Sequence, residues 1–312
     1  MAEIEPGPKR HTYRLKRKEE VAAGLRRIAL GRAESALEAL AGIERGDDPA
    51  AAIHSARKDI KKLRAVLRLA RGSLGEELYR SENGRYRDAT GLLSQSRDAE
   101  VKLDTLGALE ERFGERLPVG PTRAWCVALE RERDEIAAGD GDGETRIAAA
   151  IAAIDAGRER IPEWPLRGDS WKPVGAGLTR CYRRGRREMK RVRADPSAEC
   201  VHEWRKRVKD LWYQLRIVRN AWPPVLVATV DEAHRLADLL GAHHDFAVLA
   251  EDLVRRPAVG HQEEIAALIE CRQQELLTAA LDLGARLFAE KPKAFGARLG
   301  AYWQTWRAAT QN

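Results

Sequence analysis

The pattern His-x-x-Arg-Lys-x-x-Lys is written twice in this chain, from His54 to Lys61 and again from His202 to Lys209, 148 residues apart. At about 100° per residue on an α-helix, His54, Arg57, Lys58, Lys61, Arg64, Arg68 and Arg71 share one broad face. Ile53, Ile60, Leu63, Leu67 and Leu74 share another, the face that a core would cover. The second copy repeats the division: His202, Arg205, Lys206, Lys209, Arg216 and Arg219 on one side, Trp204, Val208, Leu211 and Leu215 behind them. Solvated helices usually alternate charges that pair at i,i+4. Residues 54–71 instead carry seven Lys/Arg against the single acid Asp59. Repulsion along such a face costs stability until an anion neutralises it.

The duplication extends beyond the stripes. Gly24-Leu25-Arg26-Arg27 ahead of the first matches Gly177-Leu178-Thr179-Arg180 ahead of the second, and Leu92-Leu93 with Arg97-Asp98 and Val101 matches Leu239-Leu240 with His244-Asp245 and Val248. Three matches in one order predict an all-α fold of two pseudo-symmetric four-helix bundles made by an internal repeat. A short extra helix is expected at the C-terminus.

Composition agrees: Ala, Leu, Arg and Glu dominate over β-branched and aromatic residues, which favours helix. The periodicity predicts helices over about 16–45, 48–74, 76–113 (bent at Gly91) and 121–160 (broken at 139–143). Asp48-Pro49 is a cap-and-proline start for the second helix. The second half predicts helices over 173–193, from Asp195-Pro196 through the His202 stripe, over 223–255 and 260–290, and a last one ending near Arg307. Residues 1–13 read as a flexible lead, 14–160 and 173–312 as the two halves, and the breaker-rich 161–172 as the joint between them. No run approaches the ~20 apolar residues of a membrane span, and the N-terminus shows no secretory h-region. Cys126, Cys181, Cys200 and Cys271 lack metal-site spacing and read as reduced thiols of a cytoplasmic-type compartment. Neither a metal nor a cofactor is expected, since the adjacent His243-His244-Asp245 would point ~100° apart on a helix.

The charge is local. Between Arg180 and Arg219 stand fourteen Lys/Arg and five Asp/Glu, a local +9 within a chain of net +7. A basic excess confined to one segment marks an anionic partner. Three classes fit: a polyphosphate-binding module, an RNA- or DNA-binding helical protein, and a phosphate-transfer enzyme. Acidic residues to hold Mg²⁺ are scarce on both stripes, which disfavours the enzyme. Readers of single-stranded nucleic acid interleave aromatic platforms with basic positions, whereas here only Trp212 borders a stripe.

Two such histidine helices, each followed by a Leu-Leu…Asp-x-x-Val segment, resemble the CHAD family (conserved histidine α-helical domain). The likeness runs from about Tyr13 to the terminal helix. It implies a non-catalytic protein that binds inorganic polyphosphate in a basic groove between two helical halves, in the cytoplasm and associated with polyphosphate granules. By that resemblance His54, Arg57, Lys58, Lys61, Arg64, Arg68, His202, Arg205, Lys206, Lys209 and Arg216 line the site, with Arg27, Arg180, Arg184 and Arg187 as neighbours on the preceding helices. Asp98 and Asp245 are expected to orient the basic residues through salt bridges, with a solvated surface role as the alternative. His54 and His202 either donate to phosphate or fix helix contacts. The sequence departs from the family pattern at Glu100, where a second aspartate is common, and at His244, where arginine is; Trp212 occupies the position of Arg64. The halves are therefore not equivalent ligand surfaces.

Overall fold

The computed structural model describes residues 12–93, 98–138, 142–256 and 260–309. Its elements among these residues are helical: α1 (Val21–Glu44), α2 (Pro49–Leu74), α3 (Glu76–Leu92), α4 (Asp98–Phe113), α5 (Val119–Ala138), α6 (Gly143–Arg160), α7 (Lys172–Ala194), α8 (Ala198–Val218), α9 (Pro223–Val254), α10 (Gln262–Leu287) and α11 (Pro292–Ala308). The all-α expectation holds.

Local chemistry explains the boundaries. The Asp48 carboxylate accepts from the amides of Ala50 and Ala51 at 3.3 and 3.0 Å, with Pro49 pre-set in the first turn. Gly75, at φ +82°, turns the chain from α2 into α3 without the penalty a side chain would meet. The single helix expected over 76–113 is two, α3 and α4; between Leu93 and Asp98 the chain lies outside the described residues. Asp195 does not cap α8 at its first amides. It accepts from the Ser197 amide at 3.1 Å and from the Cys200 thiol at 3.1 Å, so α8 starts at Ala198.

Apolar packing does not divide the chain at its repeat. One core runs through both halves, from Leu25 and Ile28 on α1 through Ile60 and Leu67 on α2 to Trp204 and Leu215 on α8 and Phe295 on α11. A second, smaller core joins Leu109 of α4 and Trp125 of α5 to Leu249 of α9 and Ile265 of α10. The first half thus lends α4 and α5 to a cluster completed by the second half. At its edge Asp252, 3% exposed, accepts from Lys102, Trp125 and Arg256 at 2.9, 3.0 and 2.6 Å. Those hydrogen bonds hold its carboxyl down at about 2 against the upward push of burial.

Residues 161–171 form an ordered strap. Ile161, Trp164 and Leu166 are buried, the Asp169 carboxylate accepts from the Val21 amide at 3.0 Å, and Arg26 donates to the Trp164 carbonyl at 2.8 Å. The end of the expected lead is also fixed. Tyr13 is buried and donates to the Lys62 carbonyl at 3.1 Å, while the Leu15 amide donates to the Ile217 carbonyl at 2.9 Å; residues 1–11 lie outside the described chain.

Candidate anion-binding site

Helices α2 and α8 cross at their C-terminal halves, where Gln214 Nε2 donates to the Ala65 carbonyl at 3.5 Å and Arg68 pairs with Asp210 at 3.3 Å. Helix α7 closes the third side. Gly177 lies so near the Leu69 carbonyl that a Cβ would collide with it, and this contact lets the α7 arginines reach α2. Arg180 donates to the Arg68 carbonyl at 2.7 Å. The result is a narrow hollow lined by Arg68, Arg71, Tyr79, Gly177, Arg180, Cys181, Arg184, Arg207, Asp210 and Gln214. Five of these are arginines and one is an aspartate, a formal +4.

Asp210 is committed to two of those cations, Arg68 at 3.3 Å and Arg207 at 3.2 Å. Arg71 forks onto Glu76 through two 2.8 Å bonds and lies 4.7 Å over the Tyr79 ring. Arg184 makes no hydrogen bond or ion pair among the described residues. Burial, reinforced by neighbouring arginines, pushes the pKa values of Arg180 and Arg184 down. Both still carry full charge at neutral pH, because an arginine starts above ~12. Burial likewise lowers Arg64 to about 10, with Arg68 adding to the shift. The hollow stores repulsion that a bound anion would relieve.

The repeat shows why the corresponding position in the first half does not form the same hollow. Positions 148 apart carry buried pairs of opposite polarity: Asp59 with Lys62 at 3.1 Å in the first half, Arg207 with Asp210 at 3.2 Å in the second. Asp59 also holds Arg32 at 2.9 Å, and the Tyr13 hydroxyl donates to the Lys62 carbonyl at 3.1 Å. Arg27, the counterpart of Arg180, is spent on the Thr12 and Arg14 carbonyls at 3.0 and 2.9 Å and on Glu19.

Of the residues picked from sequence, Arg68, Arg180 and Arg184 meet in the hollow. The histidine motifs lie elsewhere: on α2, His54 is fourteen residues, or roughly 21 Å, along the helix from Arg68. His54 and Lys61 are exposed, Lys58 is half-buried, and Arg57 donates to the Leu93 carbonyl at 3.3 Å. Arg64 donates to Asn83 at 3.1 Å. On α8, His202 faces α9, its ring 4.3 Å from His244, and Arg205 lies over Gly241. His202 Nδ1 and Arg205 Nε are buried without a hydrogen-bond partner. Burial, with His244, Lys206 and Arg205 adding to it, drives the His202 pKa down to about 4. Lys206 pairs with Glu203, Lys209 is half-buried, and Arg216 covers Trp212 and Tyr13. Arg187 is exposed and pairs with Glu188. Asp245 is half-buried on α9, and the Asp98 side chain lies outside the described residues. Arg207, Asp210 and Tyr79 escaped the sequence reading; the inverted polarity at offset 148 is the signal that could have found the first two.

The model of the CHAD domain matches residues 27–254. The chain belongs to the CHAD family. Polyphosphate binding is a property of this family. Among solved structures, this CHAD chain is similar to PptA from Streptomyces chartreusis, with TM-score 0.59 and 16% identity over 87% of this chain and 100% of that one. It is also similar to the CHAD domain from the plant Ricinus communis, with TM-score 0.55 and 17% identity over 98% of each chain. Identities this low speak for the fold alone. Comparison with curated proteins gives no match.

Proposed function

We propose that this CHAD protein binds inorganic polyphosphate through the arginine hollow and the basic faces of α2, α7 and α8, without catalysis, and that binding attaches it to polyphosphate granules. The observation that carries the reading is the convergence of five arginines from three helices around one aspartate. Guanidinium forks take two oxygens of one phosphate, and each phosphate neutralised releases counterions. A nucleic-acid role is less well supported. Trp212, the aromatic at the stripe edge, is stacked on His234 with ring centroids 4.2 Å apart at 15°. Trp204 is fully buried. For phosphoryl transfer the hollow offers one carboxylate, and two arginines hold it. No helix among the described residues is long and apolar enough to cross a membrane.

Competition tests the reading. Long-chain polyphosphate is expected to displace labelled RNA at far lower phosphate concentration than RNA displaces polyphosphate; the reverse order overturns it. Phosphate release with Mg²⁺ or Mn²⁺ is expected at background, and turnover would replace binding with catalysis.

A further inference from the structure

The hollow is narrow. Behind the half-exposed rim of Arg71, Arg180 and Arg184, its floor is made by buried Gly177, Cys181, Asp210 and Gln214. The Gly177–Leu69 contact seals α2 against α7. Its free volume is ≈ 20 Å³, about what one water occupies. A thread of linked phosphates cannot pass through. It either lies across the mouth or inserts an end, and the two choices differ in charge. A phosphate joined on both sides carries about one negative charge, whereas a phosphoryl group joined on one side carries about 1.5 to 2 at pH 7.

The cations inside exceed what a singly charged group would match. Five arginines line it with one carboxylate, Asp210, which Arg68 and Arg207 already share; Glu76, outside the lining, offsets Arg71, Glu203 lies 3.9 Å from Arg207, and Arg184 makes no hydrogen bond or ion pair among the described residues. Resting on the polyphosphate reading, we infer that the hollow reads chain ends: it takes the terminal phosphate of a linear polyphosphate, while the rest of the chain leaves over the basic face of α2 and α7. The rim arginines rotate to admit the terminal group, and Arg184 supplies the fork that an interior phosphate does not need. Such a site counts chains rather than phosphate units.

The test compares one long linear polyphosphate with the same chain esterified at both ends, each competing against a fluorescent long-chain probe. Free ends are expected to raise affinity about tenfold, since the extra terminal charge meets a concentrated, partly dry cluster of cations. Linear tripolyphosphate is expected to compete and cyclic trimetaphosphate, which has no end, to compete at least about tenfold less well. Arg184→Gln should weaken binding of the free-ended chain more than that of the capped chain, so that the tenfold difference between them shrinks to within about twofold. Arg184→Lys, which keeps the charge and loses the fork, should retain part of it. Equal affinity for free and capped chains would overturn end-reading while leaving polyphosphate binding in place. No binding of the uncapped long chain would remove the underlying reading itself.

Discussion

Asp210→Asn separates stability from binding, because Asp210 stabilises the fold by opposing the charge the ligand needs. The aspartate bridges Arg68 of α2 and Arg207 of α8 at 3.3 and 3.2 Å. Removing one member of a buried ion pair costs ~3–5 kcal/mol. The three side chains keep 11%, 23% and 16% exposure for Asp210, Arg68 and Arg207, so solvent screens the loss and ~3 kcal/mol is the reasonable end of that range. At roughly 2 °C per kcal/mol for a chain of this size, the unfolding midpoint should fall by ~6 °C. The same substitution frees one cationic charge near the bound anion, worth ~1–3 kcal/mol at intermediate dielectric, so affinity should rise about tenfold. The assay is thermal unfolding with and without long-chain polyphosphate, beside a binding titration at several salt concentrations. The slope of log K against log salt should steepen by about 0.7–0.9 if one more phosphate is neutralised. A variant that loses stability and affinity together would refute the assignment of Asp210 as internal counter-charge.

Three further outcomes follow from the structure. Burial holds His202 and His243 at about 4, with the adjacent His244 adding to both shifts; free histidines titrate near 6.5. The unfolded chain therefore takes up protons first, and ligand-free stability should fall as pH drops from about 6.5 to about 4. A bound polyanion favours imidazolium, so affinity should rise over that interval, and His202→Gln should flatten the rise in a pH series of titrations. Asp252→Asn should cost ~3 kcal/mol in chemical denaturation while leaving affinity within about twofold, since the distal core is remote from the hollow. The stability Asp252 provides is present above the ordinary carboxylate range and lost as pH falls toward its folded value of about 2. Gly177→Ala, which drives a methyl into the Leu69 carbonyl, should cost ~1–3 kcal/mol by calorimetry and weaken binding by prising α7 from α2.

Features fixed by neighbours in the chain were legible from sequence. The Asp48 cap and the burial of Ile60, Leu63, Leu67, Trp204 and Leu211 all followed from spacing and turn chemistry; the break expected at 139–143 falls largely outside the described residues. The stripe also placed Arg68 on the face of α2 that lines the hollow. What the repeat could not show was where the helices touch. That depends on a small residue in α7, Gly177, meeting the backbone of α2, and it moves the charge cluster away from the histidine motifs toward Arg71, Arg180 and Arg184. Arg207 was hidden because it lies off the α8 stripe, and Asp210 because a lone acid among cations reads as solvated surface until its burial is known. The first half's copy of Arg180, Arg27, looked equivalent in sequence. Only the folded path of residues 12–15 shows it tied to backbone carbonyls. Core division was equally invisible, since α4 and α5 find their partners across the repeat in α9 and α10.

The central claim is that polyphosphate is held by the arginines of the hollow through charge. The most direct measurement is a polyphosphate titration across a salt series for the native chain and for the double variant Arg180→Glu with Arg184→Glu, with helical content followed by circular dichroism. The account predicts a steep salt dependence in the native chain that is lost, with the affinity, in a variant of unchanged helicity. Binding of native strength and salt slope in that variant would contradict it.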